Sequence, residues 1–434
     1  RGQSLYEPPD DGAWLYRKVP ALSSYANSFP VRDAAGKTLG ASDPRLGTQN
    51  LNELPQWVER EFTPPPDWAE RRLLLKIDSL VRTSAVWLNG ELLGTVGENN
   101  LGGEWDITDR TVRDGANRLT IFCRGTDGDI SLLGLPSGPV IEDAWLETSW
   151  RQHAVTAHVR VRSPQAQQVT LMVTISDDDG GTVVKRLQQT SELSAGGSEL
   201  PLQAPWPDAL AWSLSSPHLY QYVVRLSDAA GAVLDETMPR RFGFREIWIE
   251  GGQFMLNGRP VHFFGHSNAH MTSAAELGDP GYLRYSLQRW RAAGVNAVTP
   301  WQGASRCPTL HPLLDLADEL GFAIFPVPWL PTGTYEGETP RRRAEWESLH
   351  QRYVERYRQH PSVLGWVIQG RSHPLDFCPA ALDGHLNLNQ DPSGGFTRMA
   401  RFVHQIDPTR PVFGISTGDL GDVWTSMAYQ GFDV

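Results

Sequence analysis

Between residues 57 and 150 apolar residues come in short runs broken by turn formers, a pattern of strands rather than helices. Residues 73–77 and 85–88 are strand candidates. Asn89-Gly90 stands between Val86-Trp87-Leu88 and Leu92-Leu93. That placement predicts a hairpin, because a type I′ turn needs positive φ at both central residues. Asp114-Gly115 precedes a further strand over 119–122. The stretch therefore reads as a β-sandwich or jelly roll. From 155 to 245 the period sharpens to two. Val155, Ala157, Val159 and Val161 alternate with polar residues, as do Val169, Leu171, Val173 and Ile175 before the turn at 177–181. Tyr222, Val224 and Leu226 follow, then Ala230-Gly231. These are half-buried antiparallel strands at immunoglobulin-like spacing.

After Phe254 the rhythm changes. Asp279-Pro280 opens a helix carrying Leu283, Leu287 and Trp290, and Gly294 closes it. A buried strand over 295–298 comes next. A helix with Leu313, Leu314, Ala317 and Leu320 ends at Gly321 and leads to a strand over 322–325. A third helix runs to about Tyr357, before a strand over 363–368; a fourth covers 396–406, before 411–415. Helix alternating with apolar strand predicts a parallel sheet, most simply a (β/α)8 barrel of the TIM type. With 261–264 as the first strand the count is five, with a sixth near 423–429. The barrel is incomplete in this chain, and more polypeptide or a partner chain is expected to complete it. The expected division is a jelly roll over 1–150, an immunoglobulin-like sandwich over 151–247 and a partial barrel over 248–434.

Composition narrows the function. The 434 residues are 40% hydrophobic and 21% charged, ordinary for a globular protein. A net charge of −11 argues against a nucleic-acid groove. Many of the sixteen tryptophans must be core, and a surplus of flat rings also suits the C–H faces of sugars. Cys123, Cys307 and Cys378 form no C-x-x-C pair, so neither a zinc site nor a disulfide framework is expected. No run of about 18 apolar residues predicts a membrane span. The chain starts at Arg1 rather than Met and shows no signal peptide, so either a leader has been removed or this is a fragment; a periplasmic or secreted location is the expectation.

A family resemblance rests on motifs in order. Trp57-Val58-Glu59-Arg60-Glu61-Phe62 resembles the opening strand of the sugar-binding domain of family 2 glycoside hydrolases. Val86-Trp87-Leu88-Asn89-Gly90 looks like that domain's W-V-N-G hairpin. Trp212-Ser213 to Pro217-His218-Leu219-Tyr220 resembles W-S-P-x-x-P-x-L-Y, and Arg241-Phe242-Gly243-Phe244-Arg245 resembles R-F-G-F-R. Leu256-Asn257-Gly258-Arg259-Pro260-Val261 is similar to L-N-G-K-P-V, and Ala293-Gly294-Val295-Asn296-Ala297-Val298 to A-G-x-N-x-V. His360-Pro361-Ser362-Val363 resembles H-P-S-V, and Asp407-Pro408-Thr409-Arg410-Pro411-Val412 resembles D-P-T-R-P-V. Members of that family are retaining glycosidases, whose chemistry needs two carboxyl groups about 5–5.5 Å apart.

The catalytic motif departs from the family. Where the resemblance implies W-x-x-G-N-E, with the glutamate as acid/base, this chain reads Trp366-Val367-Ile368-Gln369-Gly370-Arg371. An arginine holds its proton at any accessible pH and cannot do that work. The family's sugar-lining Arg and Ser-His are replaced by Thr299-Pro300-Trp301-Gln302, and its Asp-Glu by Pro326 and Val327. No Glu follows Glu355, and the family's nucleophile belongs to a later strand. Glu319, Glu345, Glu347 and Glu355 read as solvated helix positions. Glu276 is a further candidate, and Glu336 and Glu338 fall in a Gly-rich loop after the third strand, on the active-site side of a barrel, where they either reach the pocket or are solvated as loop acids mostly are.

Arg371 at a strand end is either an anion fork or half of an ion pair with Asp376. Asp376, the nearest acid to the lost glutamate position, is a candidate for a displaced general acid. Trp301 and Trp329 are stacking platforms or lids, and Asn268 and His270 stand where the family places sugar contacts. His262, His266 and His270 recur every four residues, but on strand and loop that spacing makes no metal face. No cofactor or metal is expected, and the partner is a carbohydrate. The favoured reading is a catalytically silent carbohydrate-binding relative, an accessory in polysaccharide metabolism or export. The alternatives are an active retaining glycosidase with a non-standard acid/base, and a structural protein-interaction module.

Overall fold

The computed structural model describes residues 56–77, 80, 84–96, 101–123, 130–178, 181–268, 280–300, 310–328, 339–368, 395–414 and 422, together with two-residue strands at Gln3–Ser4, Val31–Arg32 and Thr38–Leu39. It is a multidomain, β-rich chain.

Two four-stranded antiparallel sheets form the first layer pair. One carries Gln3–Ser4, Ile130–Leu135, Arg72–Ile77 and Gly103–Asp106 in that order; the other carries Gln56–Phe62, Asn117–Cys123, Ser84–Leu88 and Glu91–Val96. Period-two alternation aims Leu73, Leu75 and Ile77 at Val86, Leu88, Leu119 and Ile121, all of them buried. Asn89 and Gly90 have φ of 52° and 84°, the pair of positive values a type I′ turn requires.

The second pair has a three-stranded sheet, Val140–Ser149, Ala154–Ser163 and Gly196–Pro205, facing a larger sheet built on Gln167–Asp177 and Tyr220–Asp228. Val140–Ser149 pairs with Ala154–Ser163 along its length. Val155, Ala157, Val159 and Val161 face Val169, Leu171, Val173 and Ile175 across the core. Burying each such valine, leucine or isoleucine contributes roughly 1.5–3 kcal/mol.

A small antiparallel sheet, Ile247–Glu250, Gln253–Leu256 and Arg259–Val261, leads into the parallel region. There β1 (Gly265–Asn268), β2 (Ala297–Pro300) and β3 (Ala323–Ile324) pair in parallel, and β4 (Trp366–Ile368) pairs with β5 (Val412–Gly414). A parallel bridge between Ile324 and Val363 links the two groups. Helices α1 (Pro280–Ala292), α2 (His311–Leu320), α3 (Pro340–Tyr357) and α4 (Gly395–Ile406) alternate with these strands. Leu283, Leu287, Leu313, Ala317, Tyr353 and Val403 pack from the helices onto Val298, Ile324, Trp366 and Val412.

The expected first strand at 261–264 is corrected. Val261 pairs antiparallel with Phe254, closing a hairpin over Asn257-Gly258, and the parallel strand begins at Gly265. The local pairing has the shorter loop to close. The second strand begins at Ala297, not 295. Gly294 and Gly321 end their helices with φ of 84° and 71°. Asp279 and 423–429 lie outside the described residues.

Candidate functional site

The C-terminal ends of β2, β3 and β4 are apolar where described. Asn268 of β1 stands opposite Pro300 of β2. Past β3 the chain runs on, with Phe325 N–H donating to Val298 O at 2.9 Å and Val327 N–H to Pro300 O at 3.3 Å. Pro300, Pro326, Val327, Pro328 and Ile368 are buried. Pro326 and Val327, where the resemblance implies an acidic pair, thus contribute only packing. Trp301 follows Pro300 in sequence, Trp329 follows Pro328, and Arg371 comes three residues after Ile368. Trp301, Trp329, Arg371, His270 and Asp376 lie outside the described residues, as do Glu276, Glu336, Glu338 and the side chain of Asn268.

The ionisable groups that the structure does bring together sit at the opposite end. Arg245 is buried and donates to Pro361 O at 3.3 Å and Val363 O at 3.2 Å. Arg410 donates to Asp407 Oδ2 at 2.6 Å and to Val363 O at 2.6 Å. Trp366 Nε1–H donates to the same Asp407 oxygen at 2.7 Å. Burial works against the Asp407 carboxylate, but Arg410, Thr409 and Trp366 outweigh it and hold its pKa below the ordinary value. For Arg245 burial dominates, with Arg410 adding repulsion, and its pKa falls well below the usual arginine value. Asn296, of the A-G-x-N-x-V motif, donates to His262 O at 2.9 Å and accepts from Phe264 N–H at 2.8 Å. The matching motifs are therefore braces of the strand beginnings.

Asp318 belongs to the same set. Its Oδ2 lies 2.6 Å from His360 Nδ1, its Oδ1 accepts from Ser362 N–H at 2.9 Å, and its carbonyl accepts from Trp212 Nε1–H at 2.8 Å. Burial opposes the His360 charge, but Asp318 overcomes it and the pKa is raised. His311 Nδ1 faces His360 Nε2 at 3.3 Å; burial first, then His360, push its pKa well down. Asp315, Asp318 and His360 form the one grouping among the described residues with metal-ligand spacing, their ligand atoms lying within 4.8 Å of each other. Both Asp318 oxygens are already engaged, so the trio closes a helix–strand junction instead of offering open coordination.

The helix glutamates are paired rather than simply solvated. Glu319 accepts from Arg241 at 2.9 Å and Arg284 at 2.7 Å, and Glu345 and Glu347 pair with Arg341 and Arg343. Glu355 is half-buried and accepts from Arg160 at 2.8 Å, tying α3 to the second sandwich. Asp143 gathers Arg358, Arg160 and Arg240 at 2.6, 2.9 and 3.3 Å at that junction. Nothing in the periodicity of these segments signals such long-range pairs.

Comparison with known proteins bears on this architecture. Residues 140–245 match the family model for glycosyl hydrolases family 2. The chain is 27% identical over 383 residues to a beta-galactosidase of Arthrobacter sp. (strain B7), covering 81% of this chain and 33% of that protein. It is 24% identical to a beta-galactosidase of Priestia megaterium, over 90% of this chain and 40% of that one. It thus spans well under half the length of these curated relatives. The fold is shared with the beta-D-mannosidase of Dictyoglomus thermophilum at a TM-score of 0.69 and 17% identity, over 86% of this chain and 52% of that one. It is shared with the Bacteroides uniformis beta-glucuronidase at 0.70 and 17%, over 100% and 56%. No helix among the described residues is long and apolar enough to cross a membrane. The chain thus carries a segment of glycosyl hydrolases family 2 over residues 140–245, and over most of its length it is similar to beta-galactosidases.

Proposed function

We propose that the chain is a carbohydrate-binding family 2 relative that has given up the family's acid/base chemistry. The observation that carries this is the strand β4. It is buried, paired in register with β5, and followed in sequence by Gln369-Gly370-Arg371, where the family motif has its glutamate. A guanidinium is no proton donor for a leaving group, and general acid–base help is worth about 10²–10⁴-fold. The apolar Pro326 and Val327 support the same reading. The five parallel strands with alternating helices are read as part of a (β/α)8 barrel, whose ligands gather at the C-terminal strand ends.

The proposed ligand is an acidic saccharide at that mouth. Arg371 would contact the carboxylate or sulfate, Trp301 and Trp329 the sugar faces, and Asn268 and His270 the hydroxyls. Calorimetric titration with glucuronate- and galacturonate-containing oligosaccharides tests it. Binding should weaken about tenfold or more in Arg371→Ala and in Trp301→Ala. Binding unchanged in both, or absent for every acidic oligosaccharide, would favour a structural protein-interaction role instead.

A further inference from the structure

A cleft of about 480 Å³ lies where the Val140–Ser149 sheet, the Ile247–Glu250 strand and the residues just before β5 meet. Its volume falls within the ~300–1,000 Å³ range of small-molecule sites. Pro408 and Pro411 line it and precede β5, so it sits at the beginnings of the parallel strands. The proposed barrel-mouth site is at their opposite ends.

The cleft's charges are largely committed. Arg151 donates to Glu246 Oε1 at 2.7 Å and lies 4.7 Å above the Trp248 ring. Arg410 is held by Asp407. Both cations already face a carboxylate, and Glu147 and Asp422 add negative charge to the lining, which disfavours an anion. Glu147 stays ionised, chiefly through His158 beside it, against the cost of burial. Gln152, Gln203 and Thr156 offer neutral donors and acceptors, while Trp248, Ile249 and Pro408 give apolar surface. Amide, hydroxyl and carboxylate groups set among apolar faces suit a ligand that alternates hydroxyls with C–H faces. We infer that this cleft is a second binding site, for a neutral oligosaccharide, independent of Arg371.

Calorimetric titration with mannotetraose, cellotetraose and β-1,4-galactotetraose tests this on the intact protein, its Gln203→Ala and Thr156→Tyr variants, and Arg371→Ala. Gln203 is an exposed strand residue whose truncation leaves the core untouched, and circular dichroism verifies the fold of Thr156→Tyr. At least one tetraose should bind. Its affinity should fall roughly three- to tenfold in Gln203→Ala, and further in Thr156→Tyr where the ring fills the cleft. Arg371→Ala should leave it unchanged, even if that variant loses acidic saccharides. Saturation by none of the three tetraoses below about 10 mM overturns the inference. So does binding that Gln203→Ala leaves intact, or that Arg371→Ala abolishes.

Discussion

Arg245 and Arg410 donate to a single acceptor, the carbonyl oxygen of Val363, from 3.2 and 2.6 Å. Two buried guanidiniums on one oxygen are tolerable only because Asp407 lies against Arg410 and is itself held by Thr409 and Trp366. The cluster fixes where the strand containing β4 begins, and three of the matched motifs supply it. Arg410→Met keeps the side chain's length but leaves Asp407 buried without its cation. It should destabilise the fold by about 3–5 kcal/mol. Urea unfolding checks this; a loss below about 1 kcal/mol would show that the cluster does not brace the strand.

The helix-ending glycines separate backbone strain from collision. Gly294 and Gly321 both have positive φ, but a Cβ on Gly294 meets open space, whereas one on Gly321 would lie 2.5 Å from Leu214 O. Gly294→Ala should cost about 1–2 kcal/mol, the penalty of the left-handed region alone. Gly321→Ala should cost clearly more, because backbone must move as well. Equal shifts in unfolding midpoint would contradict the close approach of α2's end to the 213–216 turn.

Two buried histidines give opposite pH dependences. Burial depresses His350 to about 4, despite its bond to Trp346 O. The unfolded chain then binds the extra proton first, so stability falls as pH drops from about 6.5 towards 4, by on the order of 3 kcal/mol at most. The pKa of His360 is raised, so its contribution is full below about 6.5 and is lost as pH rises through the folded value. His350→Leu should flatten the acid side of the stability profile, and His360→Gln the neutral side. Profiles that superimpose on the unsubstituted protein's would contradict both assignments.

How much of this was legible in the sequence follows the range of the forces involved. Asn89-Gly90 announced its hairpin because turn geometry is local, and Val155 to Val161 announced a half-buried strand by alternation. The pattern misplaces the first parallel strand because Gly265–Asn268 has no apolar residue, while the more apolar 261–264 begins in a local hairpin. The brace of Arg245, Asp407 and Arg410 showed as motifs but not as a buried network, since its partners are distant in the chain. At the strand ends Pro326 and Val327 are described, and Arg371, Trp301, Trp329, His270 and Asp376 remain readings of the sequence.

Turnover decides whether Arg371 in the glutamate's place leaves this family 2 relative without glycosidase chemistry. The protein would be incubated with chromogenic β-galactoside, β-glucuronide, β-glucoside and β-mannoside, at a concentration where saccharide binding is established. No release of chromophore above the buffer blank is expected. Robust release that survives Asp376→Asn, Glu336→Gln and Glu338→Gln would contradict it, and would mean that another carboxylate supplies the acid/base.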